Sequence, residues 1–173
     1  MTVREPVVCC YESRRAEEMR ALIERQNAQV IVAPSMKEVP LEENQSGLDA
    51  IRQVLAGRVD SIVLLTGVGT EAMLDLAATA GLRDELLTAM NSIPLLVRGP
   101  KPAAVLHRLG LKFLVKAAEP NTSRELLDAI DQADLSLQGK VVAVQEYGVA
   151  NPDLYDALKE RGANVLPISV YSW

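Results

Sequence analysis

The sequence predicts an α/β protein, a parallel β-sheet covered by helices on both faces. Three observations carry that prediction. The runs Asp60–Leu65 and Val141–Gln145 are dominated by consecutive apolar residues rather than alternating ones, as strands buried on both sides are. Segments with apolar residues at helical spacing fill the gaps between such runs. Gly, Pro, Asn and Thr stand where strands would turn into helices and where helices would stop.

The elements follow in order. Pro6–Tyr11 is a short strand, and Ser13 is placed to cap a helix whose apolar face is Ala16, Met19, Leu22 and Ile23. Gln29–Ala33 is the next strand, ended by Pro34, and together these form one βαβ unit. After a polar stretch over 37–45, Leu48, Ile51, Val54 and Leu55 line a helix that Gly57 terminates. The strand Asp60–Leu65 passes through Thr66-Gly-Val-Gly-Thr70 into a helix with Ala72, Met73, Leu76 and Ala77 on one face.

Ile93–Val97 is a strand followed by Gly99-Pro-Lys-Pro102 and a helix reaching Leu109, with Gly110 where a left-handed cap is wanted. Lys112–Val115 is a short strand. Thr122 and Glu125 have capping-box spacing ahead of Leu126, Leu127 and Ile130. Val141–Gln145 leads through Glu146-Tyr-Gly148 to Asn151-Pro152, which opens a helix with Leu154 and Leu158 inward and Gly162 at its end. Asn164–Val170 is the last strand. Counted from Asp60 there are five strands with a helix in each gap, and right-handed crossovers make them a flavodoxin-like parallel sheet with helices on both faces.

Composition narrows the function. Eighteen Lys and Arg against 23 Asp and Glu give a net charge of −5, which argues against a nucleic-acid or acidic-membrane surface. No apolar run approaches the length of a membrane span, and the charged residues near Met1 do not make a signal peptide. Cys9 and Cys10 are adjacent and read as two reduced thiols in a buried strand, which makes the cytoplasm the expected address.

Function in such a sheet is expected outside the carboxyl ends of its strands. Four loops qualify: 66–70, 98–102, 120–123 and 145–151. They are rich in Gly, Thr, Ser and Tyr, and Arg98 and Lys101 add positive charge. Helix N-termini bind anions through free N–H groups, so an acidic protein can still hold a polycarboxylate. Taken singly, each loop also has a plain structural reading. Thr66-Gly-Val-Gly-Thr70 is too short for a dinucleotide fingerprint, and no Lys follows it as a phosphate loop requires. Pro100 and Pro102 are first-turn prolines, Thr122 is a cap, and Tyr147 and Tyr171 are packing residues with solvated hydroxyls. His107 stands mid-helix with no second ligand at metal spacing, and no nucleophile–base pair or metal cluster can be read.

A family resemblance adds what spacing cannot. Arg98-Gly-Pro-Lys-Pro-Ala-Ala-Val-Leu-His-Arg-Leu-Gly-Leu111 resembles the uroporphyrinogen-III synthase segment in which a strand leads to Gly-Pro-Lys and a helix ending in Leu-Gly-Leu. Asn121–Leu127 follows where that family places its Thr-capped helix. Gly139–Gly148, Asn151–Ala163 and Val165–Tyr171 are similar to its next strand, helix and strand into the interdomain linker. Thr66-Gly-Val-Gly and Gln145-Glu-Tyr-Gly148 look like the branch that carries Thr-Gly-x-Gly and Gln-x-Tyr-Gly.

The resemblance implies closure of the linear tetrapyrrole hydroxymethylbilane, with inversion of the last ring and loss of water, by way of an azafulvene cation and a spiro intermediate. It implies no metal and no organic cofactor. Tyr171 matches the tyrosine at the cleft and is the catalytic candidate, assisting departure of the hydroxyl. Thr66, Gly67, Gly69, Thr70, Arg98, Lys101, Thr122, Ser123, Tyr147 and Gly148 map to the substrate-binding loops. Three departures each remove a polar group: Tyr11-Glu-Ser-Arg14 replaces the usual Thr-Arg-Pro, Val68 stands where Asn or Arg is frequent, and Pro102 replaces a cleft threonine.

The family chain crosses from a first domain to a second and returns. On that pattern 1–36 is the opening βαβ of an incomplete first domain, 37–170 is a complete second domain, and 171–173 starts the return linker. A fragment of an enzyme, inactive alone, is therefore expected, with a homodimer through the orphan first unit. The alternative is a non-catalytic module of the same fold that binds a tetrapyrrole or another small ligand for regulation.

Overall fold

Neighbouring side chains in an apolar strand leave the backbone in opposite directions, so a run such as Ile62-Val-Leu-Leu65 supplies two cores at once. The computed structural model describes residues 5–13, 15–34, 39–40, 44–146, 148 and 150–172, with backbone alone at 39–40 and 171–172. The chain divides into two compact units at the boundary between Val39 and Pro40.

The first unit is β1 (Val7–Cys10), α1 (Ala16–Glu24) and β2 (Gln29–Val32), with β1 and β2 parallel and Val7 opposite Gln29. Burial here is shallow. Helix α1 buries no residue, and Val7, Met19, Leu22 and Ile31 are exposed. Ser13 does not cap α1. The N-cap is Arg15, without a side-chain bond, and the Glu12 carboxylate accepts from the N–H groups of Ser13 and Arg15 at 3.0 and 3.4 Å. Of the two thiols expected in a buried strand, only Cys10 is buried and Cys9 is exposed, because one face of the two-stranded sheet is uncovered.

The two-residue strand β3 (Val39–Pro40) lies at the boundary, and the second unit continues with α2 (Gln45–Leu55). Its further elements are β4 (Ser61–Leu64), α3 (Gly67–Thr79), α4 (Arg83–Met90), β5 (Leu95–Val97), α5 (Pro100–Arg108), β6 (Val115–Lys116), α6 (Ser123–Gln132), β7 (Val141–Gln145), α7 (Pro152–Glu160), β8 (Asn164–Ile168) and the short β9 (Tyr171–Ser172).

The main sheet has the order β6-β5-β4-β7-β8, and every pair in it is parallel. The five parallel strands and the two helical layers are as expected. The order is not the flavodoxin order when counted from β4, for it runs 3-2-1-4-5 rather than 2-1-3-4-5. Counted cyclically from β7, however, the same neighbours do give 2-1-3-4-5. The chain enters a flavodoxin-type sheet at a different strand, and α2 is the helix that such a count puts between β8 and β4. Crossover rules fix direction and hand but not the strand at which a chain enters, so apolar periodicity leaves this open.

One face packs Ile62, Leu64, Leu95 and Val97 against Ile51, Met73, Leu86 and Leu106 of α2 to α5. The other packs Val63, Leu96, Val142 and Val144 against Leu126, Ile130, Leu154 and Leu158 of α6 and α7. Each such fully buried side chain contributes about 1.5–3 kcal/mol over an exposed one. Two details differ from the sequence reading. The gap between β4 and β5 holds two helices, because α4 follows the N-cap Leu82, which makes no side-chain cap bond, and only its first-turn acids Asp84 and Glu85 mark its start. The strand expected at Lys112–Val115 is Val115–Lys116, since Leu111 and Phe113 pack into the first core.

Candidate functional site

The chain runs outward from β4 to β5 and β6, then crosses back to β7 on the other side of β4. That makes the β4–β7 boundary a topological switch point. At the carboxyl ends of these strands four helices begin, α3, α5, α6 and α7, and their first turns touch in sequence around a rim.

Thr66 is the N-cap of α3, its hydroxyl accepting from Gly69 N–H at 3.0 Å while its own N–H lies 3.4 Å from Gln145 Oε1. That joins the loop after β4 to the end of β7. Gly67 joins it to α5, for a Cβ there would stand 3.0 Å from the Lys101 carbonyl oxygen. A Cβ on Gly99 would stand 3.2 Å from the Asn121 side chain, which joins the loops after β5 and β6. Asn151 Nδ2 donates to Ser123 Oγ at 3.2 Å, joining α6 to α7.

The polar groups of this rim divide by use. Thr122 and Glu125 form a complete capping box: Glu125 accepts from Thr122 N–H at 2.9 Å and from its hydroxyl, and the hydroxyl accepts from Arg124 N–H. The hydroxyl first, and then the N–H, hold the Glu125 carboxyl below its usual range. Asn151 caps α7 by accepting from Leu154 N–H at 3.1 Å. Thr70 is fully buried and its hydroxyl donates to Thr66 O, so it serves the turn of α3 rather than the rim surface. Gly148 is half-buried with φ of +73°, a left-handed turn that favours glycine.

Other groups have no such use. Gly67 and Val68 N–H in α3, Lys101 N–H in α5 and Ser123 N–H in α6 have no acceptor among the described residues. Pro100 and Pro102 carry no N–H, so Lys101 holds the lone donor of its turn. Pro102 is buried. Arg98 is half-buried, and burial alone pulls its guanidinium below its ordinary pKa. Neither it nor exposed Lys101 meets a carboxylate among the described residues.

The sequence reading gives Glu146 no role, yet its two carboxylate oxygens accept from the Tyr155 and Ser169 hydroxyls. Burial, then that bond, push the Tyr155 phenol well above its normal value. Gln145 enters the sequence reading only as part of a motif, and it is fully buried. The available signal is an amide closing an otherwise apolar strand, Val141-Val-Ala-Val-Gln145.

Of the sequence candidates, Thr66, Gly67, Gly69, Arg98, Lys101, Thr122, Ser123 and Gly148 gather at this rim. Tyr147 lies outside the described residues. Tyr171 is described only by its backbone, in β9, and its side chain lies outside. Two surface depressions, of about 220 and about 520 Å³, lie beside α3 and α4 and share no residue with the four loops. Among the described residues no three His, Cys, Asp or Glu side chains gather as metal ligands would, and no helix is long and apolar enough to cross a membrane.

This arrangement has relatives among known proteins. The family model for uroporphyrinogen-III synthase HemD matches residues 17–173. A Bacillus subtilis (strain 168) protein described as Uncharacterized protein YjjA is 35% identical over 159 residues, 92% of this chain and 57% of that protein. A mutant uroporphyrinogen III synthase from the extremely thermophilic bacterium Thermus thermophilus superposes with a TM-score of 0.73 at 31% identity, covering 96% of this chain and 62% of that one. The wild-type enzyme in another crystal form gives 0.67 at 32% identity, covering 96% and 61%. This chain thus spans about three fifths of the length of these relatives, 57% to 62%.

Proposed function

The chain belongs to the uroporphyrinogen-III synthase family, and on that premise we propose that its rim binds a linear tetrapyrrole and forms one wall of a uroporphyrinogen-III synthase site. The observation that carries this reading is the set of unmatched groups between α3 and α5: free N–H donors at Gly67, Val68 and Lys101, with Arg98 and Lys101 lacking carboxylate partners among the described residues. Two cations beside helix N-termini repel the positive end of each helix dipole unless an anion stands between them. A linear tetrapyrrole is flexible and carries carboxylates on every ring, so several such donors can fix it at once.

Ring closure breaks the bond to the hydroxymethyl oxygen, which leaves as water, and forms a carbon–carbon bond to the substituted α-carbon of the last ring. The bond from that carbon to the preceding ring's methylene then breaks and re-forms at the free α-carbon, which loses its proton. The reaction needs little from the protein beyond holding both ends of the chain together, and positioning of that kind supplies large rate factors. Arg98 and Lys101 take carboxylates, the α3 donors orient a neighbouring ring, and Tyr171 assists departure of the hydroxyl. On this reading the first 36 residues belong to a domain that other residues complete. The turnover is accordingly assigned to the longer protein, and the 173-residue chain keeps binding.

The test incubates the purified chain, and in parallel a full-length relative, with freshly made hydroxymethylbilane, then oxidises and separates type I from type III porphyrins. Type III is expected above the spontaneous background from the full-length protein and not from the chain. Uroporphyrin titrated into the chain should shift the amides of 66–70 and of Lys101. Shifts confined to the opposite end of the sheet, at Asp60 and Lys140, would remove the reading. Binding by both proteins with type III from neither would instead make this a regulatory tetrapyrrole-binding module.

A further inference from the structure

Gln145 is a fully buried primary amide at the end of a strand that is otherwise apolar, and it stands at the switch point between β7 and β4. A leucine or methionine would fill the same space without desolvating an amide, which costs on the order of 1–3 kcal/mol when its bonds are not replaced. Here they are replaced. Oε1 faces Thr66 N–H at 3.4 Å, and Nε2 donates to the Glu146 carbonyl. Turning the amide over would set two donors against each other at Thr66, so its orientation is fixed by chemistry.

The same amide packs against Gly69. A Cβ on residue 69 would stand 1.9 Å from Nε2 and 2.4 Å from Cδ of Gln145. The Gln145 tip cannot swing aside without losing both hydrogen bonds. Gly69 is therefore a seat for Gln145, and the turn Thr66-Gly-Val-Gly69 and the end of β7 at Gln145 interlock across the switch point. Gly67 meets the Lys101 backbone on the other side of the same turn. With Gln145 at one flank and Lys101 at the other, the first turn of α3 has little freedom to shift.

Resting on the tetrapyrrole-site reading above, we infer that Gln145 is the positioning residue of this rim: it touches no ligand and sets the direction in which Gly67 and Val68 present their N–H groups to an anionic substrate. Gly69 is then not a ligand residue, and its smallness serves Gln145.

The test uses Gln145→Met, which keeps volume and loses both hydrogen bonds, alongside Gly69→Ala and the pair combined with Gln145→Ala. Uroporphyrin III is the probe, followed by fluorescence and by amide spectra. In the ligand-free chain, Gln145→Met is expected to move the Gly67, Val68 and Gly69 amide resonances and to leave those of α6 in place. Its affinity for the probe should fall about tenfold, the equivalent of one charge-assisted hydrogen bond, while its cooperative melt stays within a few degrees of wild type. A packing role alone would instead lower the melt and leave the affinity of the folded protein unchanged. Gly69→Ala should be far better tolerated beside Gln145→Ala than beside the native Gln145. Unmoved α3 resonances in Gln145→Met, or unchanged affinity, overturns the inference while the site reading stands. Failure of the wild-type chain to bind the probe removes both.

Discussion

The two halves of the rim differ in the charge at their helix starts, though the same sheet builds both. On the α6 and α7 side each helix has an acid in its first turn, Glu125 or Asp153, and a side-chain cap, Thr122 or Asn151. On the α3 and α5 side Thr66 caps α3, but neither helix has a first-turn acid, α5 has no side-chain cap bond, and Arg98 and Lys101 bring positive charge to the positive end of the dipole. Helix starts are ordinarily completed from within, by caps and acids. The α3 and α5 half, which brings cations and lacks first-turn acids, is the half that the proposed anionic ligand would use. Local rules broken together at one place mark function more sharply than any single residue there.

The largest expected effect breaks that contrast by charge. Arg98→Gln combined with Lys101→Glu should weaken uroporphyrin binding roughly 100-fold, at about 1.5 kcal/mol for each charge-assisted hydrogen bond removed. Arg124→Glu, the comparable change on the α6 side, should alter affinity by less than about threefold, as for an exposed charge away from the ligand. Fluorescence titration at fixed ionic strength measures both. Equal losses on the two sides would mean that the whole rim is a diffuse field and that the halves do not differ.

How much of this was legible beforehand follows from the range of each signal. The sheet, its parallel sense and its two helical faces are written in local periodicity, and so are the caps at Thr122, Asn151 and Gly110. The order of the strands is not local. It depends on which strand the chain enters first, and no run of residues encodes that. The site was legible as a set of loops because strand ends collect there, but the uses within it were not. Thr70 reads as a rim hydroxyl and is buried; Pro102 reads as a lost cleft residue and packs inward; Gly69 reads as a ligand glycine and accommodates Gln145, 76 positions away by numbering. Each depends on a contact between distant segments. Glu146 escaped notice for the same reason, since its partners Tyr155 and Ser169 come from α7 and from beyond β8.

A smaller effect sharpens the contrast by separating stability from binding. Thr66→Ala and Thr122→Ala each remove one N-cap oxygen, and each should cost about 1 kcal/mol of stability, a fall of about 2–4 °C in Tm for a chain of this size. Only Thr66→Ala should also weaken the probe, by about threefold, because its cap sets the turn that carries Gly67 and Val68. Thermal melts and titrations of the two variants under one condition decide it. A loss of affinity in Thr122→Ala as large as in Thr66→Ala would show that the α6 turn shares the ligand.

The smallest effect concerns acid, and it too should fall on one half only. The Glu125 carboxyl is held below its ordinary range, first by the Thr122 hydroxyl and then by the Thr122 N–H. A carboxyl whose folded pKa lies below its unfolded value, about 4.3, binds its proton less readily in the folded chain. Its contribution is complete above the unfolded value and is lost as pH falls through the folded one. Asp60 and Asp131 are lowered as well, Asp60 chiefly by Val141 N–H and Asp131 chiefly by Arg161, so the described residues give the acid limb of the wild type at least these three contributors. Glu125→Gln removes one of them. Its Tm should start slightly lower than wild type near neutral pH, and the gap should narrow between about pH 5 and pH 3. The change is small because the group is exposed and screened, and raising the salt should shrink it further. Lys101→Met, on the half with no first-turn acid, should leave the shape of the acid limb unchanged. A gap that widens toward acid in Glu125→Gln would reverse the sign and remove the capping box as the source of the lowered carboxyl. A bent limb in Lys101→Met would place a titrating partner beside α5 and take away the difference between the two halves.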